Sequence, residues 1–171
     1  ALLTNEWESS AMQGHPDVVN CLIELLRGEL GARDQYFLHS RLYEDMGYAK
    51  LYERINHEME EETQHADAIL KRILFLEGIP NLQDLGKLNI GENCQEMLES
   101  DLKIEHKARA DLQEAIPYCE SVRDYVSRDL FIKILDDEEE HIDKLEAELG
   151  LIDKVGIQNY LQKHMFTTDK E

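Results

Sequence analysis

Basic residues are scarce in this 171-residue chain: Lys and Arg number 18 against 37 Asp and Glu, a formal net charge of −19. So acidic a surface repels a phosphate backbone, which excludes a general nucleic-acid binder. Long apolar runs are missing too. Stretches such as Ile73-Leu74-Phe75-Leu76 are a few residues long, against roughly 18 for a membrane span, so no membrane partner is expected. The first residues, with Asn5, Glu6 and Glu8, lack the basic patch and apolar segment of a secretion signal, which predicts a cytoplasmic protein. Cysteine is limited to Cys21, Cys94 and Cys119, with no CxxC pair. That argues against a disulfide framework or a thiolate zinc site and predicts reduced thiols in or near helices. Disorder is excluded from the other side, since 42% of residues are hydrophobic and recur at regular spacing.

Proline is nearly absent, and Pro16, Pro80 and Pro117 mark where helices begin, end or bend. Between Pro16 and Gly47, Leu22, Leu26, Tyr36 and Tyr43 share a stripe of helical period. A second segment, Ala49 to about Glu77, carries Ile55, Ala66, Ile69, Ile73 and Leu76 and stops at Gly78-Ile79-Pro80. A third starts at Asn93, a good N-cap, with Leu98, Leu102, Ala108, Leu112 and Ala115 inward. Pro117 predicts a kink or early stop there. A fourth runs from near Ser121 to Gly150 with Leu130, Ile134, Leu145 and Leu149 inward. Four amphipathic helices of this length predict an all-α four-helix bundle. Short turns, at Gly47 and near Cys119-Glu120, predict antiparallel neighbours. The connection from Gly78 to Glu92 is long enough to travel the bundle, so the middle helices can lie parallel. Gly156 precedes a short fifth helix, Ile157 to Gln162, which must pack on something.

Polar residues interrupt every stripe. Glu29 sits between Leu26 and Tyr36, Glu62 and His65 between Ile55 and Ile69, Glu105 between Leu102 and Ala108, and Glu138 and His141 between Ile134 and Leu145. A Glu and a His three residues apart share one helix face. Glu29 precedes Glu62 by 33 residues, Glu105 precedes Glu138 by 33, and a His follows three residues later in both halves. Across tight-turn antiparallel pairs, equal offsets bring both sets to one height. Four inward carboxylates cannot be satisfied by two imidazoles, whereas two divalent cations neutralise them. Oxygen-rich ligation with one imidazole per metal suits iron or manganese. A Glu from each of two helices and Glu-x-x-His from each of the other two is the established ligand set of di-iron and di-manganese carboxylate bundles, so the match is to a known pattern.

With these residues in place, the chain resembles the bacterioferritins and neighbouring bacterial ferritins from Met12 to about Gln162. The resemblance extends beyond the ligand positions to Asp34-Gln35-Tyr36-Phe37-Leu38-His39-Ser40, Arg72 to Gly78, Asn81 to Gly91 and Gly156-Ile157-Gln158-Asn159-Tyr160-Leu161. It implies a ferritin-like bundle with a ferroxidase centre in each subunit of a hollow 24-subunit shell. Two irons per subunit are implied, Glu29 and His65 holding one, Glu105 and His141 the other, and Glu62 and Glu138 bridging. Fe2+ would be oxidised by dioxygen or peroxide and stored as ferric mineral. Tyr36 matches a family tyrosine able to donate an electron; a core aromatic with its hydroxyl bonded is the simpler alternative. His57 and Glu61 match positions that pass iron to the inner cavity, or are ordinary exposed polar residues. Thr63 stands where bacterioferritins carry the haem-ligating methionine, and Met59 one turn earlier would need a different haem placement. No bis-methionine haem is therefore expected in a shell of this chain alone. Co-assembly with a haem-binding subunit and an electron-donor protein for iron release are the other partners implied.

Two alternatives compete: a non-storage di-iron peroxidase or oxidase on the same bundle, and a passive shell subunit or acidic helical interaction module. The shell's acidic lining could concentrate cations, or merely keep the protein soluble. Residues 1–11 fit no stripe and read as an arm ahead of a native start at Met12, residues 12–162 as one domain, and 163–171 as a tail.

Overall fold

A computed structural model describes residues 13–165; the expected arm and most of the expected tail lie outside these residues. The chain forms α1 (Pro16–Asp45), α2 (Ala49–Phe75), α3 (Cys94–Ser121), α4 (Tyr125–Val155) and α5 (Ile157–Lys163). No described residue is in a strand, and no described helix is long and apolar enough to cross a membrane. All three cysteines are free and lie in helices.

The starts of the four long helices answer orphan N–H groups of the first turn. Pro16 opens α1 behind His15, whose Nδ1 accepts from the Asp17 N–H at 3.3 Å. Asn93 accepts from the Glu96 N–H at 3.0 Å, while Glu96 reaches back to the Glu92 N–H at 2.9 Å. Asp124 caps α4 through the Ser127 N–H at 3.0 Å and also accepts from Arg72 at 2.8 Å, tying the end of α2 to the start of α4. α2 has no side-chain cap. Instead the N–H groups of Ala49 and Lys50 donate to the carbonyls of Met165 and His164 at 3.0 and 3.2 Å. The first residues of the expected tail are thus bound to the bundle.

Three boundaries differ from the sequence reading. α3 runs through Pro117, and Cys119 and Glu120 belong to it. The ring is exposed near the helix end, where the unpaired carbonyl one turn back can be hydrated. The turn falls instead at Val122–Asp124, with Arg123 left-handed at φ 62°. α4 runs through Gly150 to Val155 and ends at Gly156, φ 80°. Burial of Ile152 outweighs the roughly 1 kcal/mol cost of a mid-helix glycine.

α1 and α2 form one antiparallel pair and α3 and α4 the other. His39 and Tyr36 of α1 bond to Asp101 and Glu105 of α3 respectively, so α1 runs antiparallel to α3 and the middle helices α2 and α3 are parallel. The crossover is sewn to α1 by the Asn89 N–H on Gln35 (3.2 Å) and the Gly91 N–H on His39 (3.2 Å). Gln35 and His39 also converge on Asp101, at 2.8 Å each. α5 packs on its own subunit: buried Tyr160 donates to Glu148 of α4.

Apolar side chains form two separate clusters. One contains Leu22, Leu26, Ile69, Ile73, Leu112 and Phe131; the other contains Tyr43, Leu51, Ile55, Met97, Leu98 and Leu145. In chain order, the polar residues that interrupt the stripes of α2, α3 and α4 lie between them, and Glu29 of α1 lies at the first cluster's edge, one residue before Leu30.

Candidate metal centre

Between the two clusters, Glu29, Glu62, His65, Glu105, Glu138 and His141 are all buried, and only His65 exceeds 2% exposure, at 7%. They form two overlapping groups. Glu29, Glu62, His65 and Glu138 each bring one ligand atom within 4.8 Å of the others, as do Glu62, Glu105, Glu138 and His141. Glu62 and Glu138 belong to both. The sequence's two 33-residue offsets therefore become two adjacent groups of candidate metal-binding side chains that share a pair of carboxylates.

The imidazoles face inward through Nδ1. His65 Nδ1 lies 3.5 Å from Glu29, 3.5 Å from Glu62 and 3.3 Å from Glu138. His141 Nδ1 lies 3.3 Å from both Glu62 and Glu105. The opposite edges of the rings are bonded across the bundle, His65 Nε2 to Asp137 at 2.7 Å and His141 Nε2 to Glu61 at 2.8 Å. Such outer partners orient a ligand ring and raise its basicity.

Burial pushes the Glu29 carboxyl well above its ordinary range, and the neighbouring Glu62 pushes it further. Glu105 is also raised by burial, against the pull of His141. Burial disfavours charge on the imidazoles, but the carboxylates facing them outweigh it: Glu29 and Glu62 raise His65 to about 11, and Glu105 and Glu62 raise His141 to about 11. Without metal the cluster holds protons that a cation would displace.

The donor chemistry fits divalent cations. Among the described residues, both oxygens of Glu62, one each of Glu29, Glu105 and Glu138, and both Nδ1 atoms have no hydrogen-bond partner despite being buried. Buried oxygens and ring nitrogens rarely go unmatched unless something else binds them. An oxygen-rich set with one imidazole per position suits iron or manganese better than thiolate-seeking metals.

The other predicted residues fall around this cluster. Tyr36 is fully buried and donates its hydroxyl to Glu105; burial and that carboxylate raise its pKa far above the phenolic range. Glu61 holds His141, and His57, 65% exposed, lies 3.5 Å from Glu61's other oxygen. Thr63 is exposed and spends its hydroxyl on the Met59 carbonyl at 2.9 Å, inside its own helix.

Sequence reasoning missed Asp137, though a signal was present: an acid immediately precedes the shared Glu in both halves, as Glu61-Glu62 and Asp137-Glu138. It also missed Glu58 and Asp101, one turn before Glu62 and Glu105 and 1% and 0% exposed. Burial raises both their pKa values. Their four-residue offset from the ligand positions was the available clue.

A ferritin-like domain family model matches residues 19–155. The chain is 56% identical over 155 residues to a bacterial ferritin of Pseudomonas aeruginosa, covering 90% of this chain and 100% of that one. A bacterial ferritin of Synechocystis is 54% identical, over 90% and 99% of the two chains. A bacterioferritin of Brucella melitensis is 46% identical over 159 residues, covering 93% and 99%.

Proposed function

The chain belongs to the ferritin family, among the bacterial ferritins and bacterioferritins, and from that membership we propose how its residues serve iron storage and detoxification. The protein is a ferroxidase: it oxidises Fe2+ to Fe3+ with dioxygen or peroxide and stores the ferric product. In our reading two Fe2+ bind per subunit, Glu29 and His65 holding one, Glu105 and His141 the other, and Glu62 and Glu138 reaching both. The observation that carries this assignment is the sharing of Glu62 and Glu138 by two four-residue groups. A pair of adjacent Fe2+ ions supplies two electrons together, enough to take dioxygen to peroxide or peroxide to water.

The surrounding chain does the rest. The two apolar clusters keep bulk water from the carboxylates, which strengthens their hold on a cation. Tyr36 donates its hydroxyl proton in a hydrogen bond to Glu105 and is the side chain we assign as electron donor. His57 and Glu61 are proposed to hand Fe3+ toward the inner cavity. The chain assembles as a homo-oligomeric shell, for which we propose 24 subunits, cytoplasmic, with an electron-donor protein for iron release. Thr63 supplies no thioether, so haem binding is assigned to a co-assembled subunit and not to this one.

Size-exclusion mass and Fe2+ oxidation under air test the reading together. A shell of the proposed size that turns amber, and loses rapid oxidation in Glu62→Ala and Glu138→Ala, supports it. A small oligomer that turns over peroxide without accumulating mineral would replace it with a non-storage oxidase.

A further inference from the structure

An imidazole can ligate through either nitrogen, and rotation about its outer side-chain bond is only weakly restrained. Something must decide which nitrogen meets the metals. At both histidines the structure offers the same answer, a carboxylate on the opposite helix. Asp137 of α4 lies 2.7 Å from His65 Nε2 of α2, and Glu61 of α2 lies 2.8 Å from His141 Nε2 of α4. In a neutral ring this bond keeps the proton on Nε2 and turns the Nδ1 lone pair toward the carboxylates 3.3–3.5 Å away.

The arrangement is reciprocal. Each acid is the residue just before the shared Glu on its own helix, and α2 and α4 run antiparallel, so both pairs have one register. Asp137 and Glu61 are 37% and 32% exposed, at the edge of the cluster, where water keeps a carboxylate charged at little cost. Neither belongs to the two ligand groups. The two are not equivalent, because Glu61 also faces His57 at 3.5 Å, whereas Asp137, among the described residues, bonds only His65.

We infer that Asp137 and Glu61 are positioning residues that each orient the metal-binding histidine of the opposite helix, so that each half of the centre is aligned by the other. This rests on the metal-binding reading above. Removal of such a partner typically weakens metal affinity 10–100-fold.

The test uses Co2+ titration of the assembled, chelator-treated protein, followed by visible absorption, with Asp137→Leu, Asp137→Asn and Glu61→Leu. Wild type binds two Co2+ per chain. Asp137→Leu retains one site and weakens the other 10–100-fold with an altered spectrum. Asp137→Asn, which keeps an acceptor oxygen, returns to within a few-fold of wild type. Glu61→Leu weakens the other site, and a crystal structure of metal-free Asp137→Leu shows the His65 ring rotated. Two unchanged sites in Asp137→Leu, or equal weakening of both, overturns the inference while leaving the centre standing. Wild type binding no Co2+ overturns the centre itself.

Discussion

Replacing both shared carboxylates, Glu62→Gln with Glu138→Gln, should make the metal-free protein more stable while abolishing its response to metal. Four carboxylates and two imidazoles lie in a space almost closed to water. With both imidazoles protonated by the pull of the carboxylates around them, two carboxylate charges are offset and up to two remain. The paired substitution conserves side-chain volume and leaves two carboxylates facing two imidazolium groups. Relieving an uncompensated buried charge of which protonation has already removed part is worth about 1–3 kcal/mol, below the 3–5 kcal/mol for fully breaking a buried pair. At about 2–4 °C per kcal/mol for a chain of this size, the metal-free melting temperature rises by about 2–12 °C. Wild type with Co2+ at 100 times its dissociation constant gains about 2.7 kcal/mol for each site, and the variant gains none. Scanning fluorimetry of the assembled protein, with chelator and with Co2+, reads both numbers. A variant that melts lower than wild type without metal, or still responds to Co2+, refutes the charge argument.

Other outcomes follow from single contacts. A methyl group at Gly91 would collide with the backbone nitrogen of Met97, so Gly91→Ala should cost about 1–3 kcal/mol and loosen the crossover, read as faster amide exchange at Asn89 and Gly91. Asp124 has its pKa lowered, against burial, by hydrogen bonds from Ser127 and by Arg72. Its stabilisation is therefore complete above the unfolded value near 3.9 and fades as pH falls through the lower folded value. Asp124→Ala should lose about 2–4 kcal/mol at pH 7 from the cap and the charge-assisted bond, and the gap to wild type should narrow below about pH 4 in parallel thermal melts; a gap constant with pH would deny the carboxylate that role. Tyr36→Phe leaves a Glu105 oxygen without its donor and should remove any tyrosyl radical signal seen by EPR on rapid mixing with Fe2+ and peroxide; a signal that persists places the electron donor elsewhere. Shells of this chain alone should show no bis-methionine haem band, and Thr63→Met should create one when haem is supplied.

Much of this molecule could be read along the chain because its regular elements obey a local period. Polar side chains on an apolar stripe stand out wherever they occur, so Glu29, Glu62, His65, Glu105, Glu138 and His141 were visible as an anomaly, and their repeated spacing suggested a common level. Asn93 was legible as a cap because its bond to Glu96 spans only three residues. Pro117 and Gly150 misled for a related reason. Their propensities are local costs of about 3 and 1 kcal/mol, and neither reveals that the proline lies on a hydrated face or that Ile152 beyond the glycine is buried.

By itself, then, the order of residues determined the helices, the parity of the turns and many of the side chains that face inward, since each depends on neighbours within one or two turns. Tertiary structure alone decided what those side chains meet. That Glu62 and Glu138 belong to both four-residue groups, that Asp137 bonds His65 while Glu61 bonds His141, and that Asp101 holds the Gln35 and His39 side chains that anchor the crossover all depend on rotations between helices far apart in the chain. A spacing within one helix constrains height along its axis. The azimuth between helices is set only when the two apolar clusters close, and it is that closure which turns six inward groups into one site.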